Sequence, residues 1–254
     1  MSPARRLLLQ AVALLVVIAV GGVVLARALE PEERAAPRDG LGPVLLVPGY
    51  GGSTGALDVL AGRLRDAGRQ AVVVDLPGDG RGDLREAAQA LEDAAEDALD
   101  DGAPGVDVIG YSAGGVTARL YAQEHATDVR RVVTLGSPHH GTRLAALGVA
   151  LSPGSCPTAC QQLAPGSDLL DDLNAGDETP DGPQWLSLWT VQDETVTPPE
   201  TASLDGATNL ALQDLCPGLQ VSHGQLPVTP VVQALVLQAL SAQDVAPPAA
   251  CPTS

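Results

Sequence analysis

Ser112 stands in Gly110-Tyr-Ser-Ala-Gly114, directly after the apolar run Val106–Ile109 and before a helical pattern. A sharp strand-to-helix turn at such a place lifts a serine hydroxyl clear of a sheet, and Gly110 and Gly114 let the backbone pass closely around it. The same turn aims the Ala113 N–H, at a helix N-terminus, toward negative charge developing on a bound acyl group. A serine hydroxyl is a weak nucleophile until a base takes its proton, and the base needs a carboxylate to hold its tautomer. The chain has 4 histidines. His125 ends the helix that follows Ser112, roughly 20 Å along its axis at 1.5 Å per residue, and reads as a surface residue. His223, in Val-Ser-His-Gly between the last strand and the final helix, is the better base by position. The acid should follow a strand between these points, and Trp-Thr-Val-Gln-Asp-Glu-Thr-Val-Thr-Pro (189–198) supplies Asp193, with Val196 and Pro198 turning the chain away. Glu194 and Asp205 are rivals, but neither sits so close to a strand end. A second oxyanion donor is expected from the loop after the first strand, Val-Pro-Gly-Tyr-Gly-Gly (47–52), where the Tyr50 N–H would lie beside that of Ala113. His139 and His140, in Gly-Ser-Pro-His-His-Gly-Thr (136–142), follow a strand on the same edge. They are expected either to line the acyl or alcohol pocket or to satisfy loop carbonyls, the second being favoured.

The elements that must position these groups alternate along the chain. Strands are expected over Val44–Val47, Ala71–Asp75, Val106–Ile109 and Val129–Leu135, with helices over Thr54–Ala67, Leu84–Leu99 and Gly114–Glu124. Short unbroken apolar strands separated by amphipathic helices imply an α/β fold with a mostly parallel central sheet covered by helices on both faces. The helix over 84–99 places Leu84, Ala87, Ala88, Leu91, Ala95 and Leu99 at helical spacing, with its acids on a solvated face. Regular alternation stops after Leu135. Residues 136–185 are rich in Gly, Pro, Asp and Ser, with a short helical candidate near Leu163–Leu173, and read as a long loop that forms a wall of the site or a partial lid. The sheet resumes at Leu186–Val191 and Thr208–Leu212, and a closing helix runs over Thr229–Leu240. There is no internal repeat.

The ends and the composition bound the setting. Arg5 and Arg6 precede an apolar run from Leu7 to Leu25, and Ala26-Arg27-Ala28 offers a cleavage site, so residues 1–28 read as an export signal. The run is also near the length that spans a bilayer, so an uncleaved N-terminal membrane anchor is the alternative, with cleavage near Ala28 favoured. Either way the domain lies outside the cytoplasm. Residues 29–42 suit a flexible lead-in, 43–241 the α/β domain that carries these groups, and 242–254 a Pro-rich tail. A net charge of −17 argues against nucleic acid or an anionic lipid surface as partner. All basic residues are Arg, and aromatics are scarce, so the core must be built mostly from Leu, Val and Ala. Cys156, Cys160, Cys216 and Cys251 form an even set in an exported chain, which favours disulfides over metal or redox roles. Of three pairings, a local Cys156–Cys160 bridge across a turn-rich loop is natural and leaves Cys216 for Cys251, tying down the tail. C-x3-C without a nearby His is poor zinc spacing, and no metal is expected.

The stretches VLLVPGYGG, IGYSAGG, TLGSPHHGT, the C-x3-C loop, WTVQDETVTP, LDGATN and VSHGQLP together resemble the class 2 bacterial lipases, including the small secreted actinobacterial ones, in order over about residues 43–241. The resemblance implies an α/β-hydrolase fold in which Ser112, Asp193 and His223 are the catalytic triad and Tyr50 and Ala113 the oxyanion donors. The chain departs from many relatives in having Pro48 before the oxyanion glycine and Tyr111 before the nucleophile, where His is common. Neither departure removes a catalytic group. Residues and resemblance together lead to the expectation of an exported monomeric ester hydrolase, acting on lipid or other small ester substrates without a cofactor. A transacylase or thioesterase on cell-envelope lipids and a non-catalytic lipid-binding module are the alternatives.

Overall fold

The computed structural model of the protein describes Arg5 and residues 41–252 other than Ala242, and all of these but Arg5 belong to one compact unit, residues 38–254. The expected export signal, Arg5 apart, and all of the lead-in before Leu41 lie outside the described residues.

The apolar runs at the centre of the sheet become strands because they are buried from both sides, while the edge strands at Ala71–Val73 and Thr208–Ala211 are partly exposed. In chain order the elements are β1 (Val44–Val47), α1 (Gly55–Asp66), β2 (Ala71–Val73), α2 (Leu84–Asp100), β3 (Val106–Tyr111), α3 (Ala113–Glu124) and β4 (Val129–Leu135). Then follow α4 (Arg143–Leu151), α5 (Thr158–Gln162), α6 (Asp168–Leu173), β5 (Gln184–Trp189), β6 (Thr208–Ala211), the short α7 (Leu212–Leu215) and α8 (Pro230–Ala239). The six strands form one wholly parallel sheet in the order β2-β1-β3-β4-β5-β6. Alternate strand residues feed two cores. Val44, Leu46, Ile109 and Val133 pack with Leu57, Leu60 and Leu64 of α1 and Val232, Leu235 and Val236 of α8. Leu45, Val47, Val108 and Val132 pack on the other face with Leu91 and Ala95 of α2 and Ala118, Tyr121 and Ala122 of α3. The strand order reverses between β1 and β3. A crevice forms beyond the carboxyl ends of strands at such a switch point, and there the loop carrying Tyr50 and the turn carrying Ser112 leave the sheet.

Three expectations need correction. Residues 136–185 are not an open loop but hold α4, α5 and α6. The helix α4 escapes a periodicity search because Arg143-Leu-Ala-Ala-Leu-Gly-Val-Ala-Leu151 is apolar all round and so has no 3.6-residue signal. The helical candidate near 163–173 begins only at Asp168, after Pro165 and Gly166 interrupt the chain, with the Ser167 side chain accepting from Leu170 N. The packed domain also continues past residue 241. Arg131 donates to the Gln243 carbonyl at 2.9 Å, Val245 N to Gln184 Oε1 at 2.7 Å, and the Val245 side chain joins the α1–α8 core.

At the opposite end of the sheet from Ser112, Asp107 of β3 is fully buried and accepts from Arg69 and Arg130, each at 2.6 Å. The same two guanidiniums donate to the carbonyls of Gly42, Leu240 and Ser241. One carboxylate thus ties the entry of the domain to its exit. Removing it leaves two nearly buried cations unpaired, which costs about 3–5 kcal/mol. Asp107→Ala is expected to lower the denaturant midpoint accordingly in equilibrium unfolding while leaving the unfolding slope unchanged. Cys156 is bonded to Cys160, and Cys216 to Cys251 across 35 residues of sequence.

Candidate active site

Ser112 follows β3 with φ 55° and ψ −125°, and it is the one non-glycine residue with positive φ among those described. That conformation stores strain, and its neighbours explain why the chain holds it. A side chain at Gly110 would run into the backbone of Gly114 and Gly115, and one at Gly114 into the carbonyls of Val47 and Pro48. The two glycines therefore let the start of α3 press against the ends of β1 and β3. The backbone between them turns sharply and presents the serine side chain outward.

The imidazole of His223 lies between Ser112 and Asp193. Its Nε2 is 3.0 Å from Ser112 Oγ and its Nδ1 is 2.6 Å from Asp193 Oδ2. All three residues are buried to within a tenth of their surface. The other carboxylate oxygen of Asp193 accepts from the backbone N–H groups of Thr195 at 2.9 Å and Val196 at 2.7 Å. With its other oxygen already held by backbone donors, the Asp193 carboxylate accepts a hydrogen bond from His223 Nδ1–H through Oδ2, which leaves the Nε2 lone pair facing the serine hydroxyl. Among the described residues no group of three or more His, Cys, Asp or Glu is gathered where it could hold a metal ion.

His223 itself opens a 3-10 turn, residues 223–228, whose start is closed by a reciprocal pair of hydrogen bonds between Ser222 and Gln225. Two further side chains hold its backbone. The Glu194 carboxylate accepts from His223 N at 3.3 Å, and the Tyr111 hydroxyl donates to the His223 carbonyl at 3.3 Å, with the two rings 5.2 Å apart. Burial, and then the charges of Asp193 and Glu194, push the Tyr111 hydroxyl up to about 12, so it stays a neutral donor through the working range of pH.

Beside Ser112 lies a cavity of about 220 Å³ lined by Tyr50, Pro138, Leu144, Ala145, Leu163 and Val196, among others. Its walls are almost wholly apolar. In the turn after β1, Gly51 N donates to the Gly80 carbonyl and Gly52 N to that of Gly49, whereas the N–H of the preceding Tyr50 makes no hydrogen bond among the described residues. Tyr50 and Ala113 therefore flank the serine from the ends of β1 and β3.

The remaining candidates go elsewhere. Neither His139 nor His140 lines the cavity; Pro138 and Thr142 of that loop do. His139 is fully buried with Nε2 3.1 Å from Thr134 Oγ1; burial first, then Arg119 and His140, hold it neutral, well below the usual histidine range. His140 pairs with Glu178 at 2.8 Å and approaches the Thr201 carbonyl, so it fastens one loop to another. His125 stacks on Tyr121 and meets Glu92 at 3.2 Å, far from Ser112 in the fold. Asp205 is tied up locally, its side chain accepting from Gly206 N.

Several contributors to the site were not singled out for it in the sequence. Gly136, with φ 56°, passes so near the Asp193–His223 pair that a side chain there would lie 3.2 Å from both Asp193 Oδ2 and His223 Nδ1. Thr142 lines the cavity and donates from Oγ1 to the Thr195 carbonyl at 2.8 Å, joining two loops 53 residues apart. Cys160 brings the first disulfide to the cavity wall. Only a positive φ at Gly136 could have been suspected, from its place after a strand.

Residues 42–154 match the α/β hydrolase fold family, and residues 101–228 match the family Lipase (class 2). Among solved structures, Aspergillus fumigatus lipase B is similar at 22% identity and a TM-score of 0.68, over 83% of this chain and 55% of that one. The mature form of Bacillus licheniformis lipase BlEst2 is similar at 20% identity and a TM-score of 0.63, over 84% of this chain and 96% of that one. The chain thus spans about half the length of the fungal lipase and nearly all of the bacterial one, and at these identities the likeness speaks for the fold. A search of curated proteins finds no match. With the second match spanning just over half of its length, the chain belongs to the class 2 lipase family and has the α/β-hydrolase fold.

Proposed function

We propose that the protein is an exported serine hydrolase that cleaves carboxylic esters of lipids through an acyl-enzyme. The observation that carries this reading is the unbroken line Ser112 Oγ, His223 imidazole, Asp193 carboxylate at the mouth of an apolar cavity. In this mechanism Ser112 Oγ attacks the ester carbonyl as His223 Nε2 takes its proton, and Asp193 stabilises the imidazolium. The N–H groups of Ala113 and Tyr50 hold the oxyanion of the tetrahedral intermediate, each donor supplying about 3–4 kcal/mol. His223 returns the proton to the departing alcohol, and a water activated by the same imidazole then releases the acid from Ser112. The cavity beside the serine accommodates an apolar part of the ester. Export is supported by the two disulfides of the domain, which persist in oxidising compartments.

One preparation tests the whole reading. Expressed with its own N-terminus, the protein recovered from the medium should hydrolyse p-nitrophenyl esters, bind one fluorophosphonate per chain at Ser112, and have an intact mass lacking residues 1–28. An unlabelled, inactive protein would leave Ser112 an unactivated residue. A mass that includes residues 1–28 would replace cleavage by a retained N-terminal segment.

A further inference from the structure

We infer that Tyr111 is a positioning residue for the proposed reaction: it holds the base His223 in line with Ser112 and steadies the imidazolium that forms when the serine proton is taken. The nucleophile and the base come from segments 111 residues apart, and the 3.0 Å contact between them has to be met at every turnover. A misplacement of about 1 Å between reacting groups can cost on the order of 10²-fold in rate. Tyr111 is covalently next to one member of that contact and touches the other.

The tyrosine is fixed at its own end. It closes β3, which lies between β1 and β4, and stands opposite Leu135 in the register. The next residue, Ser112, donates from N to the Leu135 carbonyl at 2.9 Å, so one short stretch of pinned backbone carries both the nucleophile and the tyrosine. The Tyr111 side chain packs against the α1–α8 core. Its hydroxyl donates to the His223 carbonyl at 3.3 Å while the Glu194 carboxylate accepts from His223 N at 3.3 Å, which holds the base at both of its peptide groups. The two rings add a second contact, with centroids 5.2 Å apart and planes tilted by 31°. A cation within about 6 Å of an aromatic centroid is attracted by the electrons of the ring, and a neutral imidazole gains no such term. Asp193 meets the imidazolium at Nδ1, and Tyr111 meets it from a second direction. Because the cation exists only after Ser112 gives up its proton, the ring contact strengthens toward the transition state. Tyr111 lines no part of the cavity beside Ser112, so the bound ester does not depend on it.

The kinetic arm of this proposal rests on the ester-hydrolase reading, and its structural arm does not. The experiment compares the full protein with Tyr111→Phe, which keeps the ring, and with Tyr111→Leu, which removes it, and a melting curve checks that each folds. Measured are kcat and KM for dissolved p-nitrophenyl butyrate and, without substrate, the rate at which the His223 Nδ1 proton exchanges with water, followed by its proton resonance. Tyr111→Phe should lose about fivefold in kcat, the worth of one neutral hydrogen bond. Tyr111→Leu should lose about tenfold more, as a cation–π contact goes with the ring. KM should stay within about twofold in both, the mark of an interaction made in the transition state alone. Exchange of the Nδ1 proton should be at least about tenfold faster in Tyr111→Leu, as the imidazole opens from Asp193 more often. Equal losses in the two variants overturn the proposal, because the ring would then contribute nothing. A rise in KM that accounts for the whole loss overturns it as well, since Tyr111 would then be a contact of the substrate. Tyr111→Phe loses a single oxygen, so its kcat decides even where Tyr111→Leu does not fold, and a value equal to the parent's overturns the proposal. A parent that hydrolyses no ester, but whose Nδ1 exchange quickens in Tyr111→Leu, would sink the catalytic reading and keep the positioning role. An active parent with kcat and exchange unaltered in both variants would do the reverse.

Discussion

Ser112→Ala is expected to lower turnover of p-nitrophenyl esters by about five to six orders of magnitude, to the level that oxyanion donors and binding sustain alone. The fold should survive. Alanine keeps the Cβ, so the strained φ of 55° costs the variant no more than it costs the serine, and the atom lost is a hydroxyl whose partner is His223 Nε2. The close fit of Gly110 and Gly114 around the turn is unaffected. Steady-state kinetics on a dissolved ester, with a thermal melt of the same sample, checks both halves. An unchanged melting temperature with activity at the background rate is the expected result, and activity near that of the unaltered protein would remove Ser112 from the mechanism.

Asp193→Asn should lower turnover about 10⁴-fold, and the hydrogen bonds of the loop say why. Thr195 N–H and Val196 N–H both point at Oδ1, so an asparagine must keep its carbonyl oxygen there. Its NH2 group is then forced to face His223 Nδ1, which becomes an acceptor. The ring proton moves to Nε2 and meets the serine hydroxyl donor to donor. The variant keeps its shape and loses its base. The neighbouring acids separate this effect from a general loss of charge. Glu194→Gln retains a carbonyl oxygen for the His223 N–H and should lose less than about tenfold, as a single neutral hydrogen bond is worth roughly 1 kcal/mol. Asp205→Asn should be indistinguishable from the parent, because Asp205 serves only its own turn and the Glu178 loop. A Glu194→Gln loss as large as that of Asp193→Asn would reassign the acid. Kinetics on one dissolved ester across the three variants decides.

Much of the fold was legible because its causes are local. A short apolar run between polar turns can be buried on both faces only within a covered parallel sheet; β1 begins and ends where its apolar residues do, and β4 begins and ends on Val129 and Leu135 although Arg130 and Arg131 lie within it. Boundaries drifted where the last residues of a run face a site instead of the core. Thus β3 continues through Gly110 and Tyr111, whose ring packs against His223, and β5 stops at Trp189 so that the chain can turn toward Asp193. The helix α4 was illegible for the opposite reason. Pattern reading depends on a contrast between wet and dry faces, and a helix that is apolar all round while lying on the surface offers none.

The site divides along the same line. Gly110, Ser112 and Gly114 are close in sequence, and the turn they make is dictated by what lies directly before and after it, so the candidate nucleophile could be named from a few residues. Asp193 and His223 could be named by their place after strands. What their order could not supply is distance. The 2.6 Å and 3.0 Å hydrogen bonds join groups 30 and 111 residues apart, and they exist because β3, β4, β5 and β6 lie side by side and release their loops at one edge. The same packing sent His139 inward to Thr134 and His140 sideways to Glu178, although adjacency in sequence suggested a shared role. Residue type and local order therefore determined which atoms could do chemistry, whereas the sheet alone decided which of them meet, because proximity between distant segments arises from burial summed over the whole core.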